Sequence, residues 1–513
     1  MTLLVTLYFS ALYIALIVLF GKMLRKHPQL PPGPPPDPII GHLRLIPKDN
    51  NEKFFYDLSK TYGKVMHLRI PGQVMIILNS AKAAIDLLDK RSSIYSDRAS
   101  SEVFMLMGWG DNVTFFPYGK RFQKHRKMLQ EYFHQKKCEA YFPLQAQEAQ
   151  RLLQNFMSNP NDFGNHIRKF ATCIIIRITY GHNVTSADDP YLKITGDVGH
   201  CLTNCGSPGS NIVDLIPCLK YFPSWFPGTF YAHQARSYKP IIDVLHHYPF
   251  EDVQKQMATG TIEGPSYLQY HLEQLQRDHK DCPFDISDIQ GTSGVIYGAG
   301  ADTTWSTVLI FMLAMVLHPH VQIKAQEEID RLLGTGRLPG FSDRPILPYM
   351  ECVVQESYRW NNAVPAGIPH RSLEDDIYNG MFIPKGSIIV ANTRGISMDE
   401  DVYSDPALFN PDRYLPKPHG NAEPYLIGQF GFGRRICPGR HLADASVWIA
   451  IASVLATFSI SKSVGDDGKE ITPDLIFETG ITSHPKPFKC KITPRSQISR
   501  SAINQGSVWA EQY

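Results

Sequence analysis

Phe430-Gly431-Phe432-Gly433-Arg434-Arg435-Ile436-Cys437-Pro438-Gly439-Arg440 is the stretch of this chain that points most directly at a chemistry. One cysteine sits in a glycine-dense loop, and the residues after it, His441 to Leu455, have the amphipathic pattern of a helix rich in Ala, Leu, Val and Ile. A thiolate placed at a helix N-terminus is stabilised by the free amides and the dipole there, and neighbouring arginines add to that. The glycines let the backbone wrap closely round the sulfur and turn N–H groups towards it. A lone cysteine is structural far more often than functional, so it is the spacing Phe-x-x-Gly-x-Arg-x-Cys-x-Gly that carries the weight. Competing chemistries lack their signatures. The nine cysteines form no C-x-x-C pair, and neither a G-x-S-x-G, a P-loop nor an H-E-x-x-H pattern occurs. Gly298-Ala299-Gly300 has no preceding strand of the kind a dinucleotide site requires.

The 513 residues carry 51 Lys+Arg against 49 Asp+Glu, with 43% hydrophobic residues. This is globular composition, and the balanced charge argues against a nucleic-acid partner. At roughly 150 residues per domain the length would suggest about three domains. No linker, charge block or repeat divides residues 41–495, however, so a single large body is expected. Ahead of it, Thr2 to Phe20 is an uncharged run of nineteen residues, followed by Lys22, Arg25 and Lys26. That length suffices to cross a bilayer, and the flanking charges hold the downstream side in the cytosol. The expected organisation is a transmembrane signal-anchor over 1–21, a basic and proline-rich hinge over 22–40, the body over 41–495 and a flexible polar tail over 496–513. With the body in the cytosol, the Asn112 and Asn183 sequons would go unused.

Within the body a hairpin is readable at Val65–Ile70 and Val74–Leu78, with a helix opening at Ser80. Further helices are expected over 121–135, 140–158, 163–180, 235–258, 265–279, 285–317, 319–334 and 348–360, and a strand over 387–391. The segment Val295–Leu317 has one charge, Asp302, in 23 residues. Hydropathy alone would make it a second membrane span, but an ionisable group facing lipid is costly, and a helix through the protein core is expected instead.

Three more motifs stand in a fixed order before the cysteine loop. They are Ala299-Gly300-Ala301-Asp302-Thr303-Thr304, Gln355-Glu356-Ser357-Tyr358-Arg359 and Phe409-Asn410-Pro411-Asp412-Arg413. Alone, the first is a small-residue patch for close packing and the second an i,i+3 ion pair on one helix face. Taken with the cysteine loop, they make the chain resemble the cytochrome P450 family over essentially its whole length. Leu347-Pro348-Tyr349, Phe382-Ile383-Pro384-Lys385-Gly386 and Gly439-Arg440-His441-Leu442-Ala443 give it the texture of the fungal microsomal branch.

The resemblance implies a mainly α fold with small β-sheets, the cytochrome P450 fold, preceded by one N-terminal transmembrane helix. It implies heme b with Cys437 as the axial iron ligand, Phe430 packed by the sulfur and Gly439 beside it. Arg98, Arg126, His370 and Arg435 would hold the propionates. The family's Trp-x-x-x-Arg falls on Phe122 to Arg126, so Phe122 stands where an indole would donate a hydrogen bond. Glu356, Arg359 and Arg413 would form a buried structural network. Asp302 and Thr303 would relay protons, which the reduction of O2 consumes; their presence favours monooxygenation over a P450-fold isomerase or dehydratase, or a heme sensor without turnover. No flavin-domain pattern occurs, so NADPH-derived electrons are expected through a separate NADPH-cytochrome P450 reductase, with cytochrome b5 as a second candidate donor. Lys120, Arg121, Lys124, Arg126 and Lys127 would face that acidic partner. The substrate pocket is expected from Phe104, Met105 and Met107; Tyr297 and Ala301; Val364 and Ala366; and Ile481, next to Thr479 and Gly480. These walls suit a lipophilic small molecule of fungal secondary metabolism, at the endoplasmic-reticulum membrane.

Overall fold

The computed structural model describes residues 29–504 apart from 48, 100, 207–210, 279–280 and 479; the expected signal-anchor lies outside the described residues. The longer helices are α1 (Asn51–Tyr62), α2 (Lys120–Phe133), α3 (Phe142–Ser158), α4 (Phe163–Tyr180), α5 (Pro190–Asn204), α6 (Phe230–Thr259), α7 (Tyr267–Asp278), α8 (Ile286–Leu317), α9 (Pro319–Leu333), α10 (Pro348–Trp360), α11 (Arg440–Thr457) and α12 (Gln497–Asn504). Their order follows the hydrophobic periodicity, although α1, α5 and α12 were not anticipated from the sequence.

α8 organises the rest. Asp285 caps it, its carboxylate accepting from the Asp288 amide while Asp288 returns the bond to the Asp285 amide, a reciprocal capping box. The helix is apolar all round, which requires burial on every side. Its most apolar window is 83% buried inside the protein, so it is a core helix despite having the length of a membrane span. α4 packs along it, and α6, α11, α5, α7 and α10 complete the surround.

Three small sheets flank the helices among the described residues, one of them only a hairpin of Asp376–Tyr378 against Met381–Ile383. The largest runs in the order β1 (Val65–Ile70), β2 (Gln73–Leu78), β5 (Ile388–Ala391), β4 (His370–Arg371), β3 (Asp97–Arg98). β1 and β2 form the expected hairpin, with Val65 opposite Leu78. β2 pairs in parallel with β5, and β4 antiparallel to both β5 and β3, which brings Arg98 directly opposite His370. The second sheet joins β6 (Phe458–Val464) to β7 (Glu470–Ile471) and β8 (Cys490–Pro494). The segment expected as a polar tail begins with a helix instead: α12 buries Ile503 completely and Ser499 nearly so. Its apolar residues, Ile498, Ala502 and Ile503, are too few to stand out from polar neighbours in one short turn pattern.

Behind α8, His271 of α7 is fully buried among the rings of Tyr132, Tyr267, Tyr270 and Phe284. Burial pushes its pKa down to about 4, against a smaller opposing pull from Gln274. The folded imidazole is therefore neutral where the unfolded one binds a proton. Its contribution is fully present above pH ~6.5, fades as pH falls, and reaches a loss of about 3 kcal/mol near pH 4. Denaturant midpoints measured between pH 7 and 4.5 should fall less steeply in His271→Leu than in the native protein. Equal slopes would show that His271 plays no part in acid lability.

Candidate active site

The loop from Gly428 to Gly439 forms a cradle with Cys437 at its inner end. The Cys437 amide donates to the Phe430 carbonyl at 2.8 Å, closing the loop on itself. Gly433 is needed for close approach: its φ is +53° and a Cβ there would lie 2.0 Å from the Leu88 carbonyl oxygen. Phe430 meets Tyr358 of α10 edge-on at 5.5 Å, which fixes the aromatic end of the cradle. Burial pushes the Cys437 thiol pKa up, while the Gly439 amide and the Arg126 and Arg440 cations pull it the other way. The amide and one loop arginine act as the sequence suggested, but Arg126 comes from α2 and burial outweighs all of them. Direct coordination to a metal cation is what would make a thiolate the stable form in such a place.

Across from the sulfur lies a cavity of about 340 Å³. Its floor includes Phe430, Cys437, Gly439 and Leu442, and its roof is the stretch of α8 from Ala299 to Thr304 without Ala301. The remaining lining is mostly apolar, so a flat apolar group fits between the two faces.

One rim of this cavity is cationic. Arg435 donates to the carbonyls of Ser96, Val113 and Phe116, and its guanidinium lies 3.7 Å from the centre of the Phe122 ring. The position where the family has an indole therefore serves here as a π-face for an arginine. Arg98 donates to the carbonyls of Thr114, Ile368 and Pro369, and Arg126 to that of Ile436 at 2.7 Å. Burial holds all three arginines below their ordinary pKa, with mutual repulsion adding to it for Arg98 and Arg435. None of them has a carboxylate within 4 Å among the described residues. Such clustered, desolvated cations call for an anion with more than one charge. A tetrapyrrole with two propionates and a thiolate-seeking iron matches the rim, the slot and the sulfur together, so the residues fit haem. His370 stands beside them, its Nδ1–H donating to the Tyr95 carbonyl at 2.7 Å; burial and then Arg98 and Arg435 hold it well below the usual imidazole range.

On the roof, Asp302 is 5% exposed and its Oδ2 accepts from the Thr482 hydroxyl at 2.6 Å. The Thr303 hydroxyl donates instead to the Ala299 carbonyl one turn back at 3.0 Å. Both residues line the cavity, yet as sequence neighbours they point from different sides of the helix and do not bond one another. The helix is unbroken at Gly300, where the glycine admits Ile175 of α4: a Cβ there would lie 2.5 Å from its Cδ1.

Of the expected pocket residues, Phe104, Val364 and Ile481 lie on the cavity wall. Met105, Met107, Tyr297, Ala301 and Ala366 do not line it. Met105 faces solvent at 36% exposure, Met107 is buried elsewhere, and the Tyr297 hydroxyl donates to the Tyr191 carbonyl. Trp109, Asn112, Ile175, Leu202, Asn362 and Thr482 line the cavity without any signal in the sequence that set them apart. Thr479 lies outside the described residues.

The family profile described as cytochrome P450 matches residues 31–492. The chain belongs to the cytochrome P450 family. Among its relatives, cytochrome P450 monooxygenase 136 of Postia placenta is 39% identical over 495 residues, spanning 95% of this chain and 93% of that protein. Tryptamine 4-monooxygenase of Psilocybe cyanescens is 36% identical over 480 residues, 92% of this chain and 94% of that protein. Like these fungal relatives, this cytochrome P450 is a monooxygenase-type enzyme of the oxidoreductase class.

The Glu356 network anchors the P450 core. Its carboxylate accepts from Arg359 Nε at 2.7 Å and Nη2 at 2.8 Å, from Arg413 Nε at 3.1 Å, from the Asn410 amide at 2.8 Å and from the Tyr414 hydroxyl at 2.9 Å. All three charged side chains are fully buried. On the basic face of α2 the charges are less free than the sequence suggests. Arg121 pairs with Asp111, Lys124 pairs with Asp288 and Arg126 turns inwards, which leaves Lys120 and Lys127 without an acidic partner among the described residues.

Proposed function

We propose that this P450 is a haem-thiolate monooxygenase that hydroxylates or otherwise oxidises a lipophilic small molecule of fungal secondary metabolism. What carries the reading is one arrangement: Cys437 facing Asp302 and Thr303 across an apolar slot rimmed by Arg98, Arg126 and Arg435. Cys437, with Phe430 and Gly439 about it, would ligate the iron, and the three arginines with His370 would seat the propionates. When bound, haem supplies the activation of dioxygen. Asp302 presents a carboxyl group at the roof, and Thr303 presents a hydroxyl that can exchange its Ala299 bond for one to a water in the slot. Since the two do not touch, a water between them completes their relay. Apolar walls keep the remaining volume dry and admit a substrate of terpenoid, polyketide or indole type.

Electrons are drawn from NADPH through a separate cytochrome P450 reductase, with Lys120 and Lys127 as the free positive charges on α2 for an acidic donor. A position at the endoplasmic-reticulum membrane is supported by the uncharged run 2–20 and by a set of exposed apolar side chains, Ile39, Tyr221, Trp225 and Phe230, each at least 66% exposed.

The test has two parts. Reduced protein under carbon monoxide should show the red-shifted Soret band of thiolate-ligated haem; its absence overturns the ligand assignment. Reconstituted with reductase and supplied with extracts of candidate lipophilic metabolites, the enzyme should form oxygenated product only with NADPH. Product formed equally without NADPH would make it an isomerase or dehydratase.

A further inference from the structure

Asp302 has two neighbours that the relay itself does not require. Its Oδ2 is bonded by Thr482, 180 residues away along the chain. Its Oδ1 faces a notch at Gly199 of α5, where a Cβ would lie 3.2 Å from that oxygen and 3.1 Å from Arg168 Nη1. Arg168 thus looks at Asp302 over a residue with no side chain. It lies 3.8 Å from the centre of the Trp305 ring, one turn along α8 from Asp302, and Asp302 is the carboxylate that raises its pKa against burial. The pair is too far apart for a direct ion pair, and Arg168 makes no hydrogen bond among the described residues. The carboxylate is therefore poised between an arginine that draws it out of the cavity and a threonine that fixes it in one orientation.

Thr482 is well placed to set that orientation because its own loop is held on several sides. The Ile481 amide donates to the Leu202 carbonyl at 3.3 Å, and the Ser483 amide to the Ala363 carbonyl at 2.9 Å. The Ser306 hydroxyl of α8 donates to the Ser483 carbonyl at 2.5 Å, and Asn361 Nδ2 to the Ser483 hydroxyl at 3.3 Å. Ile481 and Thr482 both line the cavity. A ligand packed against Ile481 therefore lies one residue from the hydroxyl that holds Asp302.

We infer that Thr482 is the positioning residue for the Asp302 carboxylate, and that through Ile481 it makes proton delivery sensitive to what occupies the cavity. The inference rests on the monooxygenase reading given above. The step concerned is transfer of a proton from the Asp302 carboxyl to dioxygen being reduced in the cavity, with electrons from the reductase and the proton restored from solvent. Without the threonine, Arg168 draws the carboxylate outward. Dioxygen then takes up two electrons from the reductase and two protons from water and leaves as hydrogen peroxide, its O–O bond intact.

The experiment uses full-length haem-loaded enzyme and three variants, Thr482→Val, Thr482→Ser and Gly199→Ala. The first readout is the infrared stretching band of carbon monoxide on the reduced protein, which reports polar groups near the bound gas without turnover. Thr482→Val should shift or split the band, Thr482→Ser should restore it, and Gly199→Ala should perturb it from the opposite side. The second readout, with reductase, is the solvent deuterium isotope effect on NADPH oxidation, together with the fraction of electrons recovered as peroxide. Both should rise several-fold in Thr482→Val and stay near native in Thr482→Ser. A purely structural threonine would change haem content or melting and leave the band and isotope effect at native values, which overturns the inference. Should Thr482→Val not fold, an unchanged band in Gly199→Ala overturns it equally. Failure of the monooxygenase reading is separate: the native protein would then lack the thiolate Soret band altogether.

Discussion

Cys437→Ala is expected to leave a folded protein that has lost the red-shifted carbon monoxide band and at least on the order of 10³-fold of its NADPH-dependent oxidation, the scale at which removing a group the chemistry depends on lowers a rate. The loop does not need the sulfur for its shape. It is closed by the Cys437 amide on the Phe430 carbonyl and by glycine at close approaches, and both survive the substitution. Losing one buried sulfur costs stability of about 1 kcal/mol, within the ordinary range for a single substitution. The function lost is of another order, because among the described residues no other thiol, imidazole or carboxylate stands on the floor of the cavity. His370, the nearest candidate by chemistry, is bound to the Tyr95 carbonyl on the arginine rim. Far-ultraviolet circular dichroism should therefore match the native protein and the melting point fall by only a few degrees, while the spectrum and turnover are lost. If Cys437→Ala kept the band, the iron ligand would have to be sought elsewhere.

Glu356→Ala is expected to prevent accumulation of soluble, haem-loaded protein. The carboxylate satisfies two buried guanidinium groups, a backbone amide and a phenol at once. Arg359 keeps only carbonyl acceptors when it is removed, while Arg413 keeps Glu423 at 2.6 Å. Deleting one partner of a buried ion pair costs about 3–5 kcal/mol, against a total stability of about 5–15 kcal/mol for a typical domain. The orphaned Asn410 amide and Tyr414 hydroxyl add about 1–3 kcal/mol each. Glu423→Ala removes a second, nearly buried partner of Arg413, which keeps Glu356 at 3.1 Å and the Ser404 and Leu408 carbonyls, so it should be tolerated with a melting point a few degrees lower. Comparing soluble haem-loaded yield and melting temperature of the two variants checks the point. A Glu356→Ala protein that melts like the native one would show that the network is dispensable.

Both effects concern residues that could be read directly from the chain, and the reason is that their signals are local. The glycines round Cys437 are fixed by loop geometry a few residues long. Glu356 and Arg359 share a helix face because they are three residues apart, and α8 could be placed in the core because an Asp in an otherwise apolar helix is costly in lipid. The pocket was less legible. Tyr297 lies about 140° round the helix from Asp302 at 3.6 residues per turn, so naming residues from one helix without its rotation puts some of them on the wrong side. Met105 and Phe104 are adjacent, yet one faces solvent and the other the cavity. The basic run on α2 looked like a uniform surface, while its neighbours neutralise or turn away three of its five charges. Phe122 appeared only as a missing donor, because nothing in the chain said that Arg435 would lie on its ring.

The sequence by itself determined the cysteine loop, the buried acid network, the central helix and the family to which they belong, since each is written in short-range spacing and in the cost of burying charge. Only the tertiary structure decided which groups surround them. Arg98, Arg126 and Arg435 become one cationic rim because strands and loops far apart in the chain converge on it. Asp302 meets Thr482 and looks towards Arg168 because α4, α5, α8 and the loop around Ile481 pack together, with Gly199 leaving room between them. Such contacts depend on the rotation and depth of packed elements, which side-chain volumes settle collectively and no local pattern records.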